Sequence, residues 1–201
     1  MKLYYAPGAC SLAPHIVLNE AGFSFDIEKV NFADKKTEKG EDYNAINRKG
    51  SVPSLKLEDG QLLTEGAVIM QYLADQKPDT GLIPKAGTME RYRMMEWLNF
   101  IATEVHKSFG PLWKPDTPEA TKETQKKLLS QKFDYLTNAL KGKEYLTGNF
   151  SIADAYLFTV LNWANILKLD MSKWPDLQSY VSRIAARPKV QQSLKEEGLI
   201  N

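Results

Sequence analysis

The sequence predicts an α/β domain followed by an all-helical domain, and three observations carry this prediction. Up to residue 77, strand and helix patterns run in the order β-α-β, then an irregular segment, then β-β-α. Residues 78–88 hold two prolines and two glycines with few bulky side chains, which is typical of a linker. Beyond it, every long segment has helical spacing. We therefore expect domains at 1–77 and 89–201, joined by a linker at 78–88.

The chain opens with a short strand and a loop that leads into a helix. Residues 2–5 have the composition of a strand, and residues 6–10 contain turn-forming proline and glycine. Ser11 is suited to cap the helix that follows, and Gly22 stands where a helix usually stops. Cys10 is therefore expected at the positive end of a helix.

The rest of the first domain is predicted to hold a strand, a hairpin and a helix. Residues 26–30 form the strand, and residues 54–57 and 61–63 form a hairpin that turns at Glu58-Asp-Gly60. Residues 65–75 have the spacing of a helix. Its apolar side is expected to carry Val68, Ile69, Tyr72 and Leu73.

Five helices are expected in the second domain. They lie at roughly 89–109, 119–140, 151–168, 176–186 and 188–197. Ser151 followed by Asp154 is typical of a helix N-cap with an acidic residue three places on. Pro188 is suited to the first turn of the last helix.

Composition excludes several classes of function. The 26 basic residues nearly balance the 25 acidic ones, so no strong field is available to gather nucleic acid or an anionic membrane. The single cysteine excludes a multi-cysteine metal site and favours a reducing compartment. The opening residues hold no apolar run of signal-peptide length, and polar residues break the most apolar stretch, 152–169. We expect a cytoplasmic protein without nucleic-acid, membrane or metal partners.

Cys10 is the first candidate for chemistry. Without context, a lone cysteine is more often a small buried hydrophobe than a nucleophile. A thiol at a helix N-terminus, however, gains roughly 0.3–1 kcal/mol for its anion. The chain has no second cysteine, so a Cys-x-x-Cys redox site is excluded.

Two further features of the first domain are suited to a bound peptide. Pro53 is either a plain strand-start residue or the site of a cis bond, which would turn the backbone of Val52 outward for pairing with an extended peptide. Glu65-Gly66 opens a helix, where free N–H groups and the dipole favour an anion such as a carboxylate. An acidic first-turn residue that serves only its own helix is an equally good interpretation of Glu65.

A polar stripe is predicted on the first helix of the second domain. Asn99, Thr103 and His106 stand at i, i+4 and i+7, and most such stripes only face water. His15 is expected to pack or to face water rather than to act in catalysis. The apolar stripe beside the polar one comprises Tyr92, Met95, Leu98, Ala102 and Val105.

Together, these features resemble glutathione transferases over essentially the whole chain. The segments that carry the resemblance are Tyr5-Ala-Pro-Gly-Ala-Cys10-Ser11, Gly50-Ser-Val-Pro53, Leu63-Thr-Glu65-Gly-Ala-Val-Ile-Met-Gln-Tyr-Leu73, Phe150-Ser-Ile-Ala-Asp154-Ala155-Tyr156 and Ala186-Arg-Pro188. The combination of Cys10 with His106 is similar to the bacterial beta class. The resemblance implies a thioredoxin-like domain at 1–77, an all-helical domain at 89–201, and a homodimer in which both subunits approach each site.

The resemblance also implies roles for residues of the first domain. Cys10 would lie beside the glutathione sulfur, and Val52 would pair through its backbone with the cysteinyl part of glutathione. Lys35 would reach the glycine carboxylate. Glu65 and Gly66 would hold the γ-glutamyl end, although many transferases carry serine where this chain has Gly66.

In the second domain, the resemblance implies that Asn99, Thr103 and His106 contribute to the same glutathione site, some of them across the dimer. His106 would assist catalysis as a donor. Ser151 and Asp154 match a family motif that caps a core helix, and they are interpreted as structural.

In the implied reaction, the glutathione thiolate attacks a small electrophilic, largely hydrophobic substrate, and the product is a thioether. Such a reaction would detoxify the substrate. Glutathione is then a co-substrate, and no tightly bound cofactor is expected. Cys10 would donate a hydrogen bond to the glutathione sulfur or form a mixed disulfide with it, and Tyr5 and Ser11 are alternative donors. Two other functions stay open: glutathione-dependent thiol–disulfide exchange through Cys10, and storage of hydrophobic ligands.

Overall fold

The computed structural model describes all 201 residues and divides the chain into two compact units. Residues 1–83 and 186–201 form the first unit, and residues 84–185 form the second. The predicted division at 1–77, 78–88 and 89–201 differs from this mainly at the C-terminus. Residues 186–201 group with the first unit because the last helix packs on the first one.

A five-stranded mixed sheet is the centre of the first unit. Its strands are β1 (Lys2–Tyr5), β2 (Asp26–Asn31), β3 (Lys36–Thr37), β4 (Ser54–Lys56) and β5 (Leu62–Thr64), in the spatial order β3-β2-β1-β4-β5. β1 and β2 are parallel, and the other pairs are antiparallel. Leu3 on the central strand pairs with Ile27 on one side and with Leu55 on the other. Because β1 and β2 are parallel, a crossover segment must connect them, and in this chain that segment contains a helix.

Nine α-helices complete the chain. They are α1 (Leu12–Glu20), α2 (Tyr43–Ile46), α3 (Gly66–Gln76), α4 (Met89–Phe100), α5 (Lys107–Trp113), α6 (Glu119–Leu140), α7 (Ile152–Ile166), α8 (Pro175–Ala185) and α9 (Pro188–Glu196). A 3₁₀ turn at Pro78–Thr80 follows α3, and a π-helical segment at Ile101–His106 joins α4 to α5. None of these helices combines the length and apolar character needed to cross a membrane.

Helix α1 is enclosed within the first unit. Every side chain from Leu12 to Asn19 is buried, because α1 packs against both α3 and α9. A helix enclosed in this way must find partners for its polar side chains inside the protein. His15 and Asn19 find theirs on α9 and the residue that follows it.

Three details of the first unit differ from the sequence-based expectations. The segment predicted as irregular contains β3 and α2, and the Asp42 side chain caps α2 by accepting the Asn44 N–H. Ser11 does not cap α1, because its hydroxyl bonds the N–H and C=O of Ala6 instead. Val68, expected on the apolar side of α3, is 46% exposed.

The helix predicted at 89–109 extends as far as Trp113, and it is π-helical rather than α-helical over Ile101–His106. The π-helical segment inserts an extra residue into the turn, an arrangement that is frequent at functional sites. Tyr92 and Met95 were expected on the apolar stripe, but they are 56% and 43% exposed. The residues that do face the core are Met94, Leu98, Ile101 and Val105.

Helix α7 forms the core of the second unit, and the polar pair at its start is structural. Asp154 is fully buried and accepts hydrogen bonds from both the N–H and the hydroxyl of Ser151. Its other oxygen accepts from the Leu146 N–H and the Tyr180 hydroxyl. Burial raises the pKa of Asp154 despite these four donors, and the carboxyl ties α7 to α8.

Candidate active site

Cys10 lies in the loop between β1 and α1, and its sulfur faces the backbone of Val52. The Cys10 Sγ–H donates to the Val52 carbonyl oxygen at 3.3 Å. The loop is held in shape by Ser11, whose hydroxyl bonds both backbone groups of Ala6. Cys10 therefore has a defined position although its side chain is partly exposed.

The thiol of Cys10 is protonated at neutral pH. Although part of the residue is exposed, desolvation of the sulfur by the surrounding protein raises its pKa to about 11, and the nearby Glu65 carboxylate acts in the same direction. Backbone N–H groups of Cys10 and Ser11 at the start of α1 lower the pKa, but by less than burial raises it. The expectation that the helix N-terminus would favour the Cys10 thiolate is therefore not met, since desolvation outweighs the helix dipole.

The alternative donors Tyr5 and Ser11 are both buried. Ser11 is fully enclosed, and its hydroxyl is committed to Ala6. Burial also raises the pKa of Tyr5, with added effects of the Glu197 and Glu38 charges. Both side chains are therefore largely shielded from solvent.

The Val52–Pro53 peptide bond is cis. The Val52 carbonyl accepts from Cys10, and the Val52 N–H has no hydrogen-bond partner within the chain. An extended peptide bound beside the Cys10 sulfur could therefore accept a hydrogen bond from the Val52 N–H.

Glu65 precedes α3 in a left-handed conformation, with φ at 68°. Its carboxylate is exposed and pairs with the Lys49 ammonium, which also donates to the Thr64 hydroxyl at 3.0 Å. The free N–H groups of the first turn of α3 lie just beyond it. Gly66 opens that turn, and a Cβ built on Gly66 would meet Pro53 Cγ at 3.5 Å, an ordinary contact distance.

Lys35 also has a left-handed backbone, with φ at 56°. Its ammonium donates to the Gly50 carbonyl at 2.9 Å and lies 5.1 Å from the centre of the Phe32 ring. The cation is therefore held beside the segment that leads to Val52, within the first unit.

The three candidate residues of the second unit lie on α4 and the π-helical segment. Asn99 and Thr103 are exposed, and the Thr103 hydroxyl donates back to the Asn99 carbonyl at 3.0 Å. His106 is half-buried, with Nδ1 2.8 Å from the Tyr156 hydroxyl and its ring edge-on to Trp163 at 4.8 Å. The polar stripe thus has an outward part and one inward-facing imidazole.

His106 is neutral at physiological pH. Burial lowers its pKa to about 4, and the neighbouring Lys107 charge acts in the same direction. A neutral imidazole still donates one hydrogen bond, but it is not a source of positive charge.

Within the first unit, the structure brings Cys10 against Val52 and sets Gly66 beside Pro53. Sequence reasoning did not find Lys49, the partner of Glu65. The separation of 16 residues between them gave no local signal.

Comparison with known proteins assigns both parts of the chain to one family. The family model "Glutathione S-transferase, N-terminal domain" matches residues 8–76, and "Glutathione S-transferase, C-terminal domain" matches residues 100–188. Glutathione S-transferase GstA of Escherichia coli O157:H7 is 51% identical over 200 residues, covering 99% of this chain and 100% of GstA.

Solved structures of high similarity come from bacteria. The beta-class glutathione S-transferase of Sphingomonas chungbukensis is 45% identical with a TM-score of 0.96, and each chain is covered completely. A sphingomonad glutathione S-transferase complexed with glutathione is 43% identical with a TM-score of 0.95, again with 100% of each chain covered.

Proposed function

The chain belongs to the glutathione S-transferase family, and we propose that it conjugates glutathione to electrophilic, largely hydrophobic substrates as a detoxifying enzyme. The observation that carries the proposal is the placement of the Cys10 sulfur against the Val52 backbone, where the N–H of Val52 is free. That juxtaposition is suited to an extended tripeptide whose own sulfur comes to rest beside Cys10.

Glutathione would be held by groups of the first unit, one for each part of the tripeptide. The Val52 backbone would pair with the cysteinyl residue, and the Lys35 ammonium would take the glycine carboxylate. The Glu65 carboxylate would accept a hydrogen bond from the α-ammonium of the γ-glutamyl residue. The N–H groups from Gly66 onward would donate to its α-carboxylate. No tightly bound cofactor is required, because glutathione is itself a substrate.

In the reaction, the glutathione thiolate attacks an electrophilic carbon of the second substrate, and a C–S bond forms as the leaving group departs. The raised pKa of Cys10 supports a role as hydrogen-bond donor to the glutathione sulfur, since a thiol with pKa about 11 keeps its proton. When glutathione binds, the Cys10 S–H would donate to the glutathione sulfur instead of the Val52 carbonyl. His106, as a neutral imidazole, would act as a second donor, and Asn99 and Thr103 would line the same site.

Stabilising the thiolate accounts for a limited part of the rate. With a reference thiol pKa near 8.5, about 3% of glutathione is ionised at pH 7, so complete ionisation raises the reactive fraction roughly 30-fold, or about 2 kcal/mol. Holding both reactants in position must supply the rest.

Thiol–disulfide exchange through Cys10 stays a second candidate, favoured by the partial exposure of the cysteine. In that reaction the Cys10 thiolate attacks a glutathione mixed disulfide, releases the other thiolate and becomes glutathionylated, and a second glutathione then frees it as glutathione disulfide. The raised pKa makes the attacking anion scarce, so we expect exchange to be slow.

We also propose a homodimer in the cytoplasm. Exposed apolar side chains occur on α4, at Met89, Tyr92 and Met95, and on α3, at Val68. Large exposed apolar side chains of this kind are typical of surfaces that bind a partner. A second copy of the chain is the partner that the family membership supports.

Activity with an activated aryl chloride tests the proposal directly. We expect glutathione-dependent formation of the thioether, and a dimer in sedimentation at micromolar concentration. A Lys132→Ala variant, which breaks an exposed pair with Glu104, is a control that should match the parent chain. Absence of any conjugate with a panel of electrophiles, with glutathione bound, would contradict the proposed activity.

A further inference from the structure

Lys49 contacts the proposed glutathione site but has no role in the chemistry described so far. It lies in the segment between α2 and β4, three residues before Val52. Its backbone is held on both sides, since its N–H donates to the Asn47 side chain at 3.1 Å and its carbonyl accepts from the Ser51 hydroxyl at 3.3 Å. The Lys49 side chain therefore starts from a backbone of defined position within the first unit.

The Lys49 ammonium reaches the two residues that precede α3. It donates to Oε1 of Glu65 and to the Thr64 hydroxyl, the latter at 3.0 Å. These contacts place a positive charge just before the first turn of α3, at the positive end of its dipole. A cation at that end of a helix gains nothing from the dipole, so the stability of α3 does not explain why a lysine lies there.

Both members of the Lys49–Glu65 pair keep groups available to a ligand. Their side chains are 56% and 64% exposed, and an ion pair as exposed as this contributes little to stability. A lysine ammonium has three donors, and Lys49 uses one on Glu65 and one on Thr64. Oε2 of Glu65 makes no hydrogen bond within the chain. One donor and one charged acceptor thus stand side by side without partners.

We propose that Lys49 is a specificity-determining residue for the γ-glutamyl end of glutathione. Its ammonium would pair with the ligand's α-carboxylate, while Oε2 of Glu65 accepts from the α-ammonium. The two ligand groups are attached to one carbon atom, so a receptor for both needs a cation and an anion next to each other. With Lys49 and Glu65 they form a ring of four alternating charges, in which each charge has opposite neighbours. The inference rests on the proposed function for the identity of the ligand.

Two other roles for Lys49 make different predictions. Lys49 could serve only to orient the Glu65 carboxylate, or the α-ammonium of the ligand could displace Lys49 from Glu65. Two analogues of glutathione separate these roles, because glutaryl-Cys-Gly lacks the α-ammonium and γ-aminobutyryl-Cys-Gly lacks the α-carboxylate. If Lys49 binds the α-carboxylate, its removal affects only the ligands that carry this group.

The experiment measures by calorimetry the Kd of glutathione and of both analogues for the parent chain and for Lys49→Met. We expect the Kd of glutathione and of glutaryl-Cys-Gly to rise about tenfold in the variant, at the lower end for a charge-assisted hydrogen bond because the pair is exposed. The Kd of γ-aminobutyryl-Cys-Gly should stay within about twofold of the parent value. The coupling between the substitution and the missing carboxylate then isolates the pairwise contact.

Two further variants control for charge and for shape. Lys49→Arg keeps a cation at the same position and should restore most of the affinity for glutathione. Lys56→Met removes another exposed positive charge of the first unit, one that makes no ion pair, and should leave all three Kd values unchanged. Because Lys49 is exposed, Lys49→Met should also keep the Tm of the parent chain.

Several results would overturn the inference. Equal losses for all three ligands, or a loss confined to the ligands that carry the α-ammonium, would assign Lys49 to the orientation of Glu65. Tighter binding of glutathione to Lys49→Met would show that the ligand displaces Lys49. Parent-like affinity of Lys49→Met for glutathione would overturn the role of Lys49 alone, whereas a parent chain that does not bind glutathione would refute the proposed function together with this inference.

Discussion

Replacing Cys10 by alanine separates the two chemical roles that this thiol can have. As a donor to the glutathione sulfur, Cys10 contributes one hydrogen bond, worth about 0.5–1.5 kcal/mol, so its loss should lower kcat/KM for conjugation about 2- to 12-fold. The ceiling is the roughly 30-fold gain from complete thiolate formation. As a covalent nucleophile, Cys10 is the only thiol in the chain, so disulfide exchange should disappear.

Both activities are assayed on one preparation of Cys10→Ala, with glutathione affinity measured by calorimetry. Cys10→Ser keeps a hydroxyl donor at the same place and should conjugate at close to the parent rate without exchanging disulfides. Complete loss of conjugation with glutathione binding intact would refute the donor role. Exchange that survives in Cys10→Ala would refute the covalent role.

Three further predictions concern the proposed glutathione site and the helical unit. Glu65→Ala should weaken glutathione binding by about 1.5–3 kcal/mol and change kcat little, because the contact is remote from the reacting sulfur; calorimetry showing unchanged affinity would remove Glu65 from the site. Gly66→Ser should tighten glutathione binding, since the added Cβ has an ordinary contact with Pro53 and the hydroxyl adds a donor; weaker binding in titrations would contradict this. Burial lowers the pKa of His106 to about 4 in the folded chain, whereas an unfolded histidine has a pKa near 6.5. As the pH drops from 6.5 to 4, the unfolded chain therefore binds a proton that the folded chain does not, and the free energy of unfolding should fall. His106→Asn should flatten that part of a plot of Tm against pH, and a slope identical to the parent would show that His106 is not its source.

The sequence by itself was sufficient for features that depend on neighbours along the chain. Helix α6 was predicted at 119–140 and is observed from Glu119 to Leu140, and the hairpin turns at the expected residues. Caps, turns and helical periodicity act over a few residues, so their signals are present in the sequence. The family resemblance likewise depends on the order and spacing of local motifs, and the matching family models confirm it.

Only the tertiary structure decided properties that depend on what is packed against a residue. The helix N-terminus beside Cys10 predicts an acidic thiol, but burial raises its pKa to about 11. Likewise, α9 belongs with the first unit because it packs on α1, and Glu197, the residue after α9, accepts a hydrogen bond from Gly8, 189 residues away in the chain. Desolvation and long-range hydrogen bonds are sums over neighbours brought together by folding, and no local pattern in the sequence records them.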